Sequence, residues 1–212
     1  MKKIFYSMLW MSTLLCCSSV FAQKPDTIAE TRWNHSLSGW FYIMKDDFIF
    51  SPIYSVNKDW LHLEARYNYE DMNTFSAWFG YNFSGGNNFQ YIITPMVGGI
   101  VGNTNGMAPG LEFDFVFYGF ELYSESEYVI DFQDHENHFF YNWTDFTYSP
   151  LDWLWFGLSA QRTRLYQTDL EIQRGLMIGG GYKWFGLSAY LFNIGFDDPL
   201  FVLSLSFTFP EY

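Results

Sequence analysis

Cysteine is nearly absent: the 212 residues hold two, Cys16 and Cys17, both inside a leading apolar stretch. Once that stretch is removed, disulfides and thiolate metal sites are excluded, and the fold must hold without covalent staples. Charge is scarce too, at 16% of residues, against about 25% in ordinary soluble domains. Positive charge is the scarcer sign, with 11 Lys and Arg against 23 Asp and Glu and a formal net charge of -12. No basic patch exists to neutralise phosphates, which excludes nucleic acid as a partner. Beyond the leader the chain has no run of 18 apolar residues, so no segment reads as a transmembrane helix. Helical hydrophobic spacing is missing as well. Aromatic residues are what the chain has in quantity: 24 Phe, 16 Tyr and 9 Trp make up 23% of it. That load is incompatible with a disordered chain.

The leader reads as a targeting segment. Lys2 and Lys3 give a positive start, an apolar stretch runs from Ile4 to about Cys17, and Val20-Phe21-Ala22 forms the small-x-small pattern of a cleavage site. We therefore assign residues 1–22 to a cleaved signal peptide, 23–35 to an N-terminal extension, and 36–212 to the folded body. The apolar stretch is short for an uncleaved span of about 20 residues. Neither Leu15 nor Cys16 is the small residue that a lipoprotein site prefers before its cysteine.

The body alternates with period 2. From Leu61 to Glu70 the odd positions are apolar or aromatic and the even ones polar or charged. Phe75, Ala77, Phe79, Tyr81 and Phe83 share one face of the next run, and Leu203, Leu205, Phe207 and Phe209 share one face of the last. The pass predicts about twelve strands, at 36–45, 48–57, 60–70, 73–83, 88–101, 109–117, 120–131, 138–148, 153–166, 170–182, 185–195 and 200–209. Turn residues separate them, including Asn57-Lys58-Asp59, Ser84-Gly85-Gly86-Asn87 and Ser149-Pro150-Leu151-Asp152. Alternation is poor before Phe48, and a barrel missing that strand would be left with eleven. Ten strands, with some hairpins merged, is the alternative count.

A soluble meander would need a second layer to cover its apolar face, and none is present. In a bilayer that face meets lipid, and closure of the sheet satisfies every backbone group. Export followed by dyad repeats of roughly ten residues is the pattern of an outer-membrane barrel. On the leader, the alternation and the final strand Phe201 to Phe209, the chain resembles bacterial outer-membrane β-barrel proteins of the small porin-like kind, from about residue 36 to the end. The resemblance implies an all-β, closed, antiparallel up-and-down transmembrane barrel in the cell outer membrane, with both termini in the periplasm. It implies outer-membrane lipid, lipopolysaccharide and the barrel-insertion machinery as partners. The insertion machinery reads a final aromatic residue, and either Phe209 or Tyr212 could serve. Twelve strands would put Lys45-Asp46-Asp47, Glu70 to Asn73, Gly102 to Pro109, Phe132 to Asn137, Gln167-Thr168-Asp169 and Asp197-Asp198 outside. Nearly all of these loops are acidic, either for solubility or to bridge divalent cations to lipopolysaccharide phosphates.

Strand parity points His62, Glu64, Arg66, Asn68 and Glu70 into the lumen. It does the same for Glu112 and Asp114, since Leu111, Phe113, Phe115 and Phe117 take the other face, and for Glu121, Glu125 and Glu127. Buried charges must pair or be wet, and Arg66 cannot neutralise this excess. Arg162, Arg164 and Arg174 are the expected counter-charges. Parity puts them with Leu154, Phe156, Leu158 and Leu176, so a bulge near Ser159–Gln161 or Gly175 is needed to turn them inward. Asp134, His135 and His138 are weak candidates for a loop metal site. A lipid hydrolase would need a nucleophile such as Ser76 brought to His62. The functional readings are a narrow channel for small solutes or cations with a net acidic lumen, a closed structural barrel with an ion-paired core, and, least supported, the hydrolase. No cofactor is expected.

Overall fold

The computed structural model describes residues 33–166, 171–196 and 199–210. The signal peptide, its cleavage site, Gln167-Thr168-Asp169, Asp197-Asp198 and Tyr212 lie outside these described residues. The strands are β1 (Asn34–Ile43), β2 (Phe48–Lys58), β3 (Leu61–Tyr67), β4 (Phe75–Tyr81), β5 (Phe83–Gly86), β6 (Phe89–Val101), β7 (Gly106–Phe117), β8 (Phe120–Asp131), β9 (Phe139–Leu151), β10 (Leu154–Arg162), β11 (Gln173–Tyr182), β12 (Phe185–Phe192) and β13 (Leu200–Pro210). Each pairs antiparallel with its neighbours, and β1 pairs with β13. The ring therefore closes on twelve strands, with β5 as one extra strand outside it. β5 pairs with β6 in the same register as β4: Gly80 stands opposite Met96, and Phe83 opposite Ile93. It continues β4 past a break at Asn82. β1 begins at Asn34, two residues ahead of the expected start.

The turns sort by end. Between β7 and β8 the link is Tyr118-Gly119 alone, with both φ angles positive at 47° and 82°. Such a primed turn matches the right-handed strand twist and favours glycine at its second position. Asp59 and Lys183 take the same left-handed conformation at φ 52° and 56° in the β2–β3 and β11–β12 links. These tight turns share one end with Asn34 and Pro210. The loops after β1, β3, β6, β8, β10 and β12 share the other.

The outer wall is apolar along its length: Leu37, Phe50, Leu63, Phe79, Val97, Leu111, Phe146, Leu158, Leu187 and Leu191 are all exposed. At the tight-turn end rings pack along it, Trp60 on Tyr81 at 5.2 Å, Phe120 against Tyr148 at 4.7 Å and Trp184 on Phe209 at 6.0 Å. An apolar band with an aromatic girdle is the surface of a barrel in lipid. The structure thus has the form of a small porin-like outer-membrane barrel.

Wall and lumen should respond oppositely to charge. Leu63→Arg puts a cation on the outer face of β3 and should weaken insertion by about 2–4 kcal/mol at mid-span. Ser55→Arg, on the inner face of β2, should insert normally. Refolding into lipid vesicles, read by heat-modifiable migration, checks the pair; equal damage would show the inside–outside assignment to be wrong.

Candidate functional site: a carboxylate-lined lumen around one arginine

Alternation on β3 turns His62, Glu64 and Arg66 inward, while Leu61, Leu63, Ala65 and Tyr67 face out. β7 supplies Glu112 and Asp114, and β8 supplies Glu121, Glu125 and Glu127. The register sets Glu112 directly opposite Glu125. Like charges facing each other across an antiparallel pair repel. A cation must stand between them, and Arg66 reaches in from β3 to do so.

Arg66 is buried among carboxylates and rings. Its Nε and NH2 lie 2.5 Å from Glu64 Oε2, and its NH1 lies 2.5 Å from Glu125 Oε1. NH1 also donates to Glu127 Oε1. Glu70 Oε1 and Glu112 Oε1 stand further off, at 3.7 and 3.8 Å. The guanidinium carbon sits 4.7 Å from the ring centres of both Tyr69 and Trp78, a cation–π contact with each ring. Trp78 lies against Gly98 and Gly110: a Cβ at Gly98 would come within 2.5 Å of its ring, and one at Gly110 within 3.0 Å. Glycines on β6 and β7 thus make room for the indole that carries the arginine.

The carboxylates are held in turn. Ser76 Oγ and Trp78 Nε1 donate to Glu70 Oε1 at 2.5 and 3.0 Å. Tyr141 donates to Tyr69 Oη at 2.7 Å, and Tyr69 to Glu125 Oε2 at 2.8 Å. Tyr123 reaches both Glu112 and Glu125 at 3.3 Å. Asp145 on β9 also faces in, accepting from Ser159 Oγ at 2.5 Å and Tyr190 Oη at 3.2 Å. Sequence reasoning did not single out Asp145, although Phe146 and Tyr148 on the outer face imply its inward parity.

Among the described residues the lumen holds cavities toward both ends. One of about 420 Å³ lies toward the tight turns, lined among others by Ser38, Glu64, Glu112, Asp114, Glu121 and Trp155. Another of about 1280 Å³ opens among the loops, lined by Asp47, Met72, Leu165, Tyr166, Gln173 and Leu200. Between them lies a layer that lines neither. Along β1, Tyr42 falls between Trp40 and Met44; along β2, Ser51 falls between Ile49 and Ile53. With Arg66, Glu127, Tyr141, Gln161, Phe192 and Val202 they form a septum, none more than 2% exposed.

Several expectations need correction. Arg162, Arg164 and Arg174 do not enter the carboxylate network around Arg66, and only Arg174 lines a cavity, the one among the loops. The register from Ser159 to Gln161 is regular, and the one shift on β10 falls earlier, between Leu154 and Phe156. No bulge turns the arginines, so Arg162 and Arg174 keep the outer parity of Phe156 and Leu176. Arg162 NH1 donates to Phe140 O at 2.6 Å; Arg164 donates to Asn137 O at 3.0 Å and lies over the Phe139 ring. Arg174 stands opposite Ala160. Arg162, opposite Asn142, continues a polar seam on the outer wall, where Asn142 Nδ2 donates to Ser126 Oγ at 3.0 Å and Ser124 bonds Thr144 at 2.8 Å. Asn68 does not face the lumen either. At φ 50° it ends β3 and accepts from Asn73 N at 2.7 Å, and the chain beyond it buries both Tyr69 and Glu70. Asp134 caps a single 3-10 turn by accepting from Glu136 N at 2.9 Å, while His138 Nε2 meets Asp131 O at 3.1 Å; these residues do not gather with His135 as a metal group. Ser76 is bound to Glu70 and stands opposite Arg66, whereas His62 stands opposite Gly80.

No family model and no curated protein matches the sequence. Two solved structures of the KdgM porin are similar to this chain at 14% identity, with TM-scores of 0.57 and 0.58; each match covers 82% of this chain and 99% of that one. The second is a complex with disordered oligogalacturonate. The Acinetobacter baumannii outer membrane protein Omp33 is similar at 10% identity and TM-score 0.49, over 84% of this chain and 99% of its own. The likeness to the KdgM porin is one of fold.

Arg66→Met should be the most disruptive single change in the lumen. It leaves Glu64, Glu125 and Glu127 buried without their cation, which should cost about 3–5 kcal/mol of stability. Denaturant unfolding in lipid vesicles measures this, and a loss below about 1 kcal/mol would show that the carboxylates do not depend on the arginine.

Proposed function

We propose that this chain is a narrow outer-membrane channel that passes cations or uncharged small solutes in preference to anions. The observation that carries the reading is the cavity lined by Glu64, Glu112, Asp114, Glu121 and Glu125, whose nearest guanidinium, Arg66, is buried and already shared among carboxylates. Fixed negative charge in a narrow, poorly screened space raises the local cation concentration and repels anions. None of Arg162, Arg164 and Arg174 lines this cavity, so it is more acidic than inward arginines would make it. The KdgM porin has been solved with an oligogalacturonate. A chain of sugar acids would meet carboxylates here, so the shared fold does not carry that ligand over. The acidic loops, with Arg162 on the outer wall, suit a surface of divalent cations and lipopolysaccharide phosphates.

A closed barrel is the second reading, and the septum favours it. Conductance across planar bilayers separates the two. The parent should conduct, with a reversal potential that favours K⁺ over Cl⁻. Glu112→Gln with Asp114→Asn should reduce that selectivity more than total conductance. Tyr141→Ala, which opens the septum, should raise conductance severalfold. Anion preference would overturn the acidic-lumen reading. Silence from both the parent and Tyr141→Ala would establish the closed barrel.

A further inference from the structure

His62, Glu64 and Glu112 are the group among the described residues whose ligand atoms converge as a metal site would, within 4.8 Å of one another. The histidine carries the argument. It is buried, and its Nδ1 bonds Asn57 Oδ1 at 2.8 Å. The same oxygen accepts from Asn82 Nδ2 at 2.9 Å, and Asn82 Oδ1 accepts from Thr94 Oγ1 at 2.7 Å. This chain makes Asn57 Oδ1 an acceptor, so the ring hydrogen sits on Nδ1. The other nitrogen, Nε2, is buried and makes no hydrogen bond. In front of it stand Glu64 Oε1 at 3.2 Å and Glu112 Oε2 at 3.9 Å. A neutral imidazole would aim its lone pair at two carboxylates, an arrangement that only a positive charge in the gap makes favourable.

A proton on Nε2 can serve Glu64, but 3.9 Å is beyond hydrogen-bond reach of Glu112. A divalent ion serves all three. We propose that His62 Nε2, Glu64 and Glu112 bind a first-row transition-metal dication such as Zn²⁺ in the lumen. Ligands of a tetrahedral ion with bonds of about 2.0–2.2 Å stand about 3.3–3.6 Å apart; the histidine's spacings of 3.2 and 3.9 Å bracket that range, and the three ligand atoms lie within 4.8 Å of one another. Glu64 and Glu112 both line the 420 Å³ cavity, which gives the ion an entry path and room for aquo ligands. Asn57 fixes the ring tautomer, as partners behind metal-bound histidines do. Imidazole nitrogen selects against Ca²⁺ and Mg²⁺, which take oxygen. The site is independent of conduction, since it needs only access from one end.

The test is calorimetric titration of the refolded barrel with Zn²⁺, with Co²⁺ absorption as the spectroscopic readout. One Zn²⁺ per barrel is expected, not displaced by millimolar Ca²⁺. His62→Gln should weaken it at least a hundredfold, and Asn57→Ala by about ten- to a hundredfold. The double variant His135→Gln, His138→Gln should bind as the parent does. Heat-modifiable migration confirms that each variant is folded; if His62→Gln is not, Glu112→Gln serves in its place. Full Zn²⁺ affinity in a folded His62→Gln or Glu112→Gln barrel, binding lost with the two loop histidines, or no binding in the parent would each overturn the proposal. A silent barrel that binds Zn²⁺ would sink the channel reading and leave this one standing.

Discussion

The lumen is organised by one problem, the placing of a single guanidinium among more carboxylates than it can neutralise, where water is restricted. Charges in such a place attract and repel far more strongly than at a surface, and losing one partner leaves the others exposed to that penalty. Arg66 answers the direct opposition of Glu112 and Glu125. Its position then requires Trp78 beneath it, which requires Gly98 and Gly110 beneath the indole. Tyr69 and Tyr141 follow, because Glu125 needs a second donor for the oxygen that the arginine does not reach.

The same network divides the barrel. Residues that bind one another tightly also fill space, so the septum sits at the height of Arg66 and Glu127, and water-accessible volume is left toward both ends. A twelve-strand ring is too wide for side chains to fill throughout and too narrow to stay open unless they are kept short. Here the layer between the cavities is filled by Arg66, Glu127, Tyr141, Gln161 and Phe192, while serines such as Ser38, Ser55, Ser188 and Ser206 stand among the residues lining the cavity toward the tight turns. The wall chooses between plug and passage by residue size, within a backbone frame that is shared with the KdgM porin fold.

Period-2 alternation made most of this legible. It located the twelve ring strands, the wall residues of β3, β4 and β13, and the inward carboxylates of β7 and β8, because one face of each strand is uniformly apolar. It failed where the pattern was overridden by an argument from charge. Parity alone put Arg162 and Arg174 on the outer face, and the wish to balance the lumen's acids argued for a bulge that the regular register from Ser159 to Gln161 does not contain. Asn68 was misread because a left-handed residue shifts the phase by which Tyr69 and Glu70 turn inward. The buried aromatics Tyr69 and Tyr141 were hidden for another reason: in so aromatic a chain, a ring by itself carries no signal of which side it faces, although parity with Ser76 and Gly80 does place Trp78 inward. The meeting of His62 with Glu112 was unreadable, since it depends on how strands distant in sequence are juxtaposed across the lumen.

The sharing of one cation by several acids also constrains how such a barrel can diverge. Any lineage that lost Arg66 first would pass through a chain with stranded charges. One that neutralised Glu125 and Glu127 first would leave the arginine on Glu64, its remaining close partner. The viable order removes acids down to a single partner before the cation changes, so lumens of opposite polarity on this scaffold are separated by paired substitutions and not by single ones.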